Sequence, residues 1–447
     1  MPGSILTGPN GFRFLPESVG RAVVTGGIVL LLAASPLPYG SVESFPRAII
    51  AVLAGIIGLA AMSLPARTGA IPAWGRALMV LPIVAMLVQM LPLGTAFPAL
   101  TSVETLGLTV AGPAISLAPA QTLAAAMVYA ACCVLLVVLS GTLTSAGQIW
   151  LQALLLGIVA LYAILGLWSI SATQTIFGAP KADYLGYATG PFVNRNSFAT
   201  YLGMGLVVAF TWILEGGGGR SGRVLAGAAF LLILMALIAT GSRMGIACTI
   251  AAIGVVSLLW FMRSNGRTRP WIVLGVGVAL LAASLLLAEV TLDRFITFGP
   301  DLVQRLALYE QTLHLAEKRP FTGFGAGTFE LAFQLVHRPP VDPDLIWRRA
   351  HSTYLTILVE LGYPVAFGLA ALLVWLAIRL LRGQARLSSQ RWQASAAAIG
   401  ALTIVALHSL SDFSIEIPAN AIVLSVLLGS GLAGTRGDGP PAGRSKD

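Results

Sequence analysis

About a dozen long apolar runs divide this chain, and they leave few folds open to it. Each has roughly 17 to 25 residues, the length a helix needs to cross the hydrocarbon core of a bilayer. They fall near 22–38, 48–64, 77–95, 120–140, 147–168, 197–214, 224–240, 244–262, 271–288, 353–378, 394–410 and 418–434. A run such as 271–288 has no polar face, so it does not read as the amphipathic helix of a water-soluble domain. Only 10% of the residues are charged, against about 25% in soluble domains. A membrane barrel would need segments of alternating polarity, which are absent. The expected fold is therefore all-α: a polytopic integral membrane protein with about twelve transmembrane helices and one long external loop, 289–352, that contains helices.

The cations orient these spans. With both termini cytoplasmic, the inner segments hold sixteen of the 27 Lys and Arg residues. The outer segments hold Arg47, Lys181, Arg195 and Arg243, plus seven more in the long loop. Long loops translocate largely regardless of charge, so the contrast that matters is sixteen against four. The net charge of +9 is thus read as topology and not as a nucleic-acid surface. Cys132, Cys133 and Cys248 all lie inside apolar runs and read as packed small residues with no metal-ligand spacing.

This orientation gathers five polar motifs on the outer face. They are Pro191–Asn196, Thr240–Arg243, the segment Arg305–Gly327, Ala350–Ser352 and His408–Asp412. Arg195 and Arg243 stand at helix ends, where an arginine is costly unless it has a partner. Within the long loop, 301–318 reads as an amphipathic helix with Leu302, Leu306, Tyr309, Leu313 and Ala316 on its apolar stripe, ended by Pro320 and Gly323. Gly323-Phe324-Gly325-Ala326-Gly327 follows no strand and opens no βαβ unit, so it reads as a tight turn and not as a nucleotide loop. The turn between the seventh and eighth runs is so short that the pair reads as a hairpin.

Several of these residues suit specific chemistry. His351 opens a span at the outer interface beside Arg348 and Arg349; a histidine there titrates near neutral pH and can take a proton from a hydroxyl. Arg195, Arg243 and Arg305 suit an anion, because guanidinium stays charged and its fork matches phosphate oxygens. His408 and Asp412 are four apart and can share a helix face, either as a carboxylate orienting a histidine or as a structural pair. Glu360 lies about half a turn out of phase with His351, so contact between them is not expected. No HExxH, Cys/His cluster or paired acidic motif supports a metal-dependent mechanism.

Over roughly 185–415 the chain resembles the O-antigen ligase and polymerase superfamily of bacterial polysaccharide assembly. The resemblance rests on five stretches in order: Val193-Asn194-Arg195-Asn196-Ser197-Phe198-Ala199; Ser242-Arg243; Arg305 through Pro320-Phe321-Thr322-Gly323-Phe324-Gly325; His351-Ser352-Thr353-Tyr354-Leu355 with Glu360-Leu361-Gly362; and His408 with Asp412-Phe413. Ser352 departs from the Asn that often follows the family histidine. The resemblance implies a metal-independent glycosyltransferase without a cofactor, whose donor is a glycan on undecaprenyl diphosphate. It implies His351 as general base and Arg195, Arg243 and Arg305 as diphosphate ligands. Asn194, Asn196, Glu360, His408, Asp412, Arg348 and Arg349 are supporting candidates.

The expected domain order is N-terminal transmembrane helices (1–184), a ligase-like catalytic core including the periplasmic loop (185–415), a last transmembrane helix (416–434) and a disordered cytoplasmic tail (435–447). The expected location is a bacterial inner membrane with the active site on the periplasmic face. The acceptor expected first is a lipid A core sugar, which makes the protein a ligase. A second lipid-linked glycan would make it a polymerase, in O-antigen or exopolysaccharide synthesis. Membrane lipids are expected partners and nucleic acid is not. A transporter or flippase would instead place ionisable residues at mid-membrane depth, with broken helices in paired halves.

Overall fold

A helix stands at every expected span that falls within the described residues. The computed structural model describes residues 15–37, 39–65, 71–105, 108–171, 175–176, 179–181, 183–216, 219–263 and 298–436. The run near 271–288 and most of the tail lie outside them. The order is α1 (Glu17–Ala34), α2 (Ser44–Ala61), α3 (Ala73–Gln89), the short α4 (Pro98–Thr101), α5 (Pro119–Thr142), α6 (Ser145–Ser171), α7 (Arg195–Glu215), α8 (Gly219–Ala239) and α9 (Arg243–Arg263). Then come α10 (Phe298–Lys318), α11 (Phe329–Phe333), α12 (Thr353–Leu381), α13 (Ser389–His408) and α14 (Pro418–Gly434). Eight of the described helices are long and apolar enough to cross a membrane; α3 and α14 are apolar but shorter. The loops 96–119 and 169–196 each carry a small antiparallel hairpin, Ser102–Thr105 with Leu108–Ala111 and Thr175–Ile176 with Ala179–Pro180.

Helix α7 is the axis. Every residue from Ser197 to Trp212 is buried, because α7 is apolar all round and α6, α8, α9, α13 and α14 pack about it. Small residues bring these helices close: a Cβ on Gly203 would come within 2.5 Å of Thr249 Oγ1, and one on Gly400 within 2.4 Å of Val207. The tight turn expected between α8 and α9 is present, at 240–242, but the two helices do not pack on each other. Both lie along α7 and scarcely touch each other, since α7 offers each the larger apolar face.

The long loop has its own small core. Leu308, Leu315 and Ala316 of α10 pack with Phe324, Phe329 and Phe333 and with Val359 of α12. This corrects part of the expected stripe: Tyr309 and Ala316 do pack here, but Leu306 and Leu313 remain exposed at 58% and 42%. Two apolar rows share the helix, and the aromatic cluster selects the one carrying Leu308 and Leu315. Arg319 closes α10 by donating to Thr101 O (2.6 Å) and Ile115 O (2.8 Å) from a buried position that pulls its pKa down to about 10.

The glycine turn fits into a break in α12. Gly362 has φ +77°, and Pro364 follows it, so the helical ladder is interrupted there. Backbone carbonyls freed in an apolar setting need partners. Phe324 N donates to Val359 O (2.9 Å), Gly325 N to Glu360 O (3.0 Å), Tyr363 N to Pro320 O (2.7 Å), and Gln89 Nε2 to Glu360 O (2.8 Å). Gly323 sits at φ +64°, where a Cβ would fall 2.3 Å from Glu360 O. Gly323→Ala should therefore cost at least ~1–3 kcal/mol of stability. Gly227→Ala, on a face of α8 where an added Cβ meets nothing within 4 Å, should not destabilise. Thermal unfolding in detergent measures both; equal midpoints would contradict the packing described.

Candidate active site

Four chain segments from the bundle meet at one end of α7, and α10 covers them. Asn194 caps α7, its Oδ1 accepting from Asn196 N (2.7 Å) and Ser197 N (3.4 Å). Arg195 then stacks on the faces of Tyr187 (4.5 Å) and Tyr184 (5.4 Å). Both tyrosines belong to the loop before α7, and neither was singled out in the sequence. Lys181, which the sequence places beside Asp183, is instead buried and donates to Tyr187 O (2.9 Å) and Ser169 Oγ (3.3 Å), fixing that loop.

Asn196 joins the segments. Its Oδ1 accepts from Ser242 Oγ (2.8 Å) in the α8–α9 turn, and its Nδ2 donates to Asp412 Oδ1 (3.2 Å) after α13. Asp412 accepts on its other oxygen from Ser414 Oγ. The α8–α9 turn presses against Arg195: a Cβ on Gly241, at φ +59°, would lie 2.5 Å from Tyr187 and 3.2 Å from Arg195 Nη1. Arg243 follows directly as the first residue of α9 and is exposed.

The fourth bundle segment is the start of α12. Thr353 N donates to Ser409 O (3.0 Å), Ser352 Oγ to the same carbonyl (3.3 Å), and Thr353 Oγ1 to Asp412 O (3.3 Å). Just before it, His351 adopts φ +53°, which for a residue with a side chain costs roughly 1–2 kcal/mol. Its ring stands edge-on to Trp347 (6.0 Å) and Phe413 (5.6 Å). Among the described residues neither ring nitrogen has a hydrogen-bond partner. Burial lowers the His351 pKa below its usual value and Arg305 lowers it further, while Asp412 opposes both. Arg305 reaches Ser411 O (3.4 Å) from α10, and Tyr309, one turn on, donates to His351 O (3.0 Å).

The structure thus brings together Asn194, Arg195, Asn196, Arg243, Arg305, His351 and Asp412. It separates others. His408 makes no hydrogen bond or ion pair with Asp412, although its ring feels that charge; its Nδ1 is hydrogen-bonded to Thr200 Oγ1 on α7 (2.5 Å), which ties α13 to α7. Glu360 is turned to the glycine loop, its Oε1 accepting from Phe329 N (3.1 Å). Arg348 makes an exposed pair with Glu330 (3.9 Å), and Arg349 a closer one with Glu416 (3.1 Å) beside Phe413. Among the described residues, Arg195, Arg243 and Arg305 have no carboxylate within ion-pair distance, and no group of three or more His, Cys, Asp or Glu is placed to hold a metal.

Residues 228–370 match the family model described as O-antigen ligase. The match supports membership of the O-antigen ligase and polymerase superfamily. No curated protein matches the chain. The matched segment runs from within α8 to within α12, so it includes Arg243, Arg305, His351 and Glu360. Asn194–Asn196 and His408–Asp412 lie outside it, joined to it through Ser242 and Ser409. The family supports glycosyl transfer of the ligase and polymerase type on lipid-linked glycans, within a multi-pass membrane protein.

The Asn196 bridge is testable by charge. Asn196→Asp sets a second carboxylate against Asp412, and two adjacent carboxylates raise each other's pKa. A raised acid pKa destabilises the fold above the ordinary carboxylate range, near pH 4, and not below it. The variant should unfold earlier than the native protein at pH 7 and lose most of that deficit near pH 4. An equal deficit at both pH values would contradict the bridge.

Proposed function

We propose that the protein transfers a glycan from undecaprenyl diphosphate to an acceptor hydroxyl at the periplasmic face of a bacterial inner membrane, as an O-antigen ligase acting on lipid A core. One observation carries this reading: among the described residues both ring nitrogens of His351 are unpartnered and Arg305, whose charge faces that ring, has no carboxylate partner, while Arg195 and Arg243, equally without one, stand at the same end of α7. Three helix N-termini, those of α7, α9 and α12, meet at the same place and add positive potential.

The chemistry follows from charge. The acceptor oxygen attacks the anomeric carbon as its proton passes to His351. The bond from that carbon to the diphosphate oxygen breaks, and the diphosphate leaves with the electron pair. Negative charge grows on the departing group, where Arg195, Arg243 and Arg305 act without a metal. Diphosphate is already a good leaving group, so a base as mild as imidazole suffices. The lowered His351 pKa keeps the ring neutral, and therefore basic, to a lower pH than an ordinary histidine. A transporter reading is less well supported, because α7 is apolar through the middle of the bundle and the charged cluster lies at its end.

The test is reconstitution with chelator, undecaprenyl-diphosphate glycan, and either lipid A core or no added acceptor. The native protein should transfer to lipid A core with an acid limb below pH 6.5, and His351→Ala should lose at least ~100-fold in rate. Elongated lipid-linked chains without added acceptor would instead make the protein a polymerase at the same site. Undiminished transfer by His351→Ala would reject the base.

A further inference from the structure

Tyr309 is not used by the reaction as drawn, yet it touches the base. It lies four residues after Arg305 on α10, so both side chains leave the same face of one helical turn. Its hydroxyl donates to His351 O (3.0 Å) and lies 3.4 Å from Leu410 O, while Arg305 Nη1 reaches Ser411 O. His351 is the one residue of the cluster's base segment that holds a left-handed backbone, at φ +53°. Such a conformation persists only where its surroundings over-determine it. On the C-terminal side Ser352 and Thr353 are pinned to Ser409; on the ring, Trp347 and Phe413 stand edge-on; on the carbonyl, the contact is the Tyr309 hydroxyl.

Resting on the base reading above, we propose that Tyr309 is a positioning residue: its hydroxyl holds the His351 carbonyl, fixes the left-handed backbone that sets the imidazole, and ties the base to the same helical turn as Arg305. Helix α10 then aligns base and phosphate ligand as one unit. Loss of the hydroxyl frees the His351 backbone to relax towards an ordinary conformation. The ring then moves relative to the charged groups that face it, Arg305 on α10 and Asp412 after α13, and leaves its packed setting between Trp347 and Phe413.

The experiment compares Tyr309→Phe with the native protein in reconstituted transfer, measuring kcat, donor binding and the pH profile. The variant keeps the ring and should fold. Expected is a fall in kcat of about tenfold to a hundredfold, with donor affinity unchanged and the acid limb displaced to higher pH. Tyr162→Phe, which removes a hydroxyl bonded to Ala33 O between α6 and α1, controls for general loosening and should leave kcat and profile unchanged. Native kcat and profile in Tyr309→Phe would overturn the proposal. So would a kcat loss matched by an equal loss of donor affinity with no change in pH profile, which marks Tyr309 as merely structural. Full transfer by His351→Ala would remove the base reading itself, and this inference with it.

Discussion

The side chain of Asn196 is the contact on which the polar end of this bundle depends. It accepts from Ser242, 46 residues away, and donates to Asp412, 216 residues away. An amide does both at once, as neither a carboxylate nor an ammonium can. Two neutral or charge-assisted bonds in a half-buried setting contribute about 0.5–3 kcal/mol each. Their larger effect is geometric, because they join the starts of α7 and α9 to the end of α13. Ser409 and Asp412 then receive the start of α12, which brings His351. Helix α7 gives this junction rigidity, since nearly all of it is packed among other helices.

The arginines show the same economy of partners. Where a cation in this protein serves structure, it has an acceptor: Arg263 with Glu215, Arg349 with Glu416, Arg319 with two backbone carbonyls. Arg195 instead lies on two tyrosine rings, which hold its orientation and leave its charge uncancelled. Its neighbourhood contains helix N-termini whose partial charges have the same sign. Such a site is poised for an anion with several oxygens. Asp412 is the exception in sign, and both of its oxygens are engaged by Asn196 and Ser414.

The bundle and the convergence of its motifs were legible because both follow from one-dimensional signals, apolar run length and the placement of cations. The tyrosine pair beneath Arg195 was not, since Tyr184 and Tyr187 sit in a loop with no periodicity, held by the Lys181 bond to Tyr187 O, the Asn194 bond to the Tyr184 hydroxyl and the Gly241 turn against Tyr187. On α10, Tyr309 and Ala316 were placed correctly but Leu306 and Leu313 were not, because Leu306 with Leu313 and Leu308 with Leu315 are equally good helical rows and only the Phe324–Phe329–Phe333 cluster chooses between them. Glu360 illustrates a third limit. Its helical phase excluded His351 as a partner, but the partner it has, the backbone that follows the glycine turn, becomes visible only when Gly362 breaks α12. The missing hydrogen bond between His408 and Asp412 has the same origin: Thr200 on the facing helix α7 takes the ring nitrogen instead.

The most direct test of the account is equilibrium binding of undecaprenyl diphosphate to the reconstituted protein with chelator present. The native protein and His351→Ala should bind equally, because the proposed base acts on the acceptor hydroxyl and is not one of the proposed diphosphate ligands. Arg195→Gln should bind at least ~10-fold more weakly, the equivalent of about 1.4 kcal/mol. Native affinity in Arg195→Gln, or loss of native binding on adding chelator, would contradict an anion site built from guanidinium groups and helix ends.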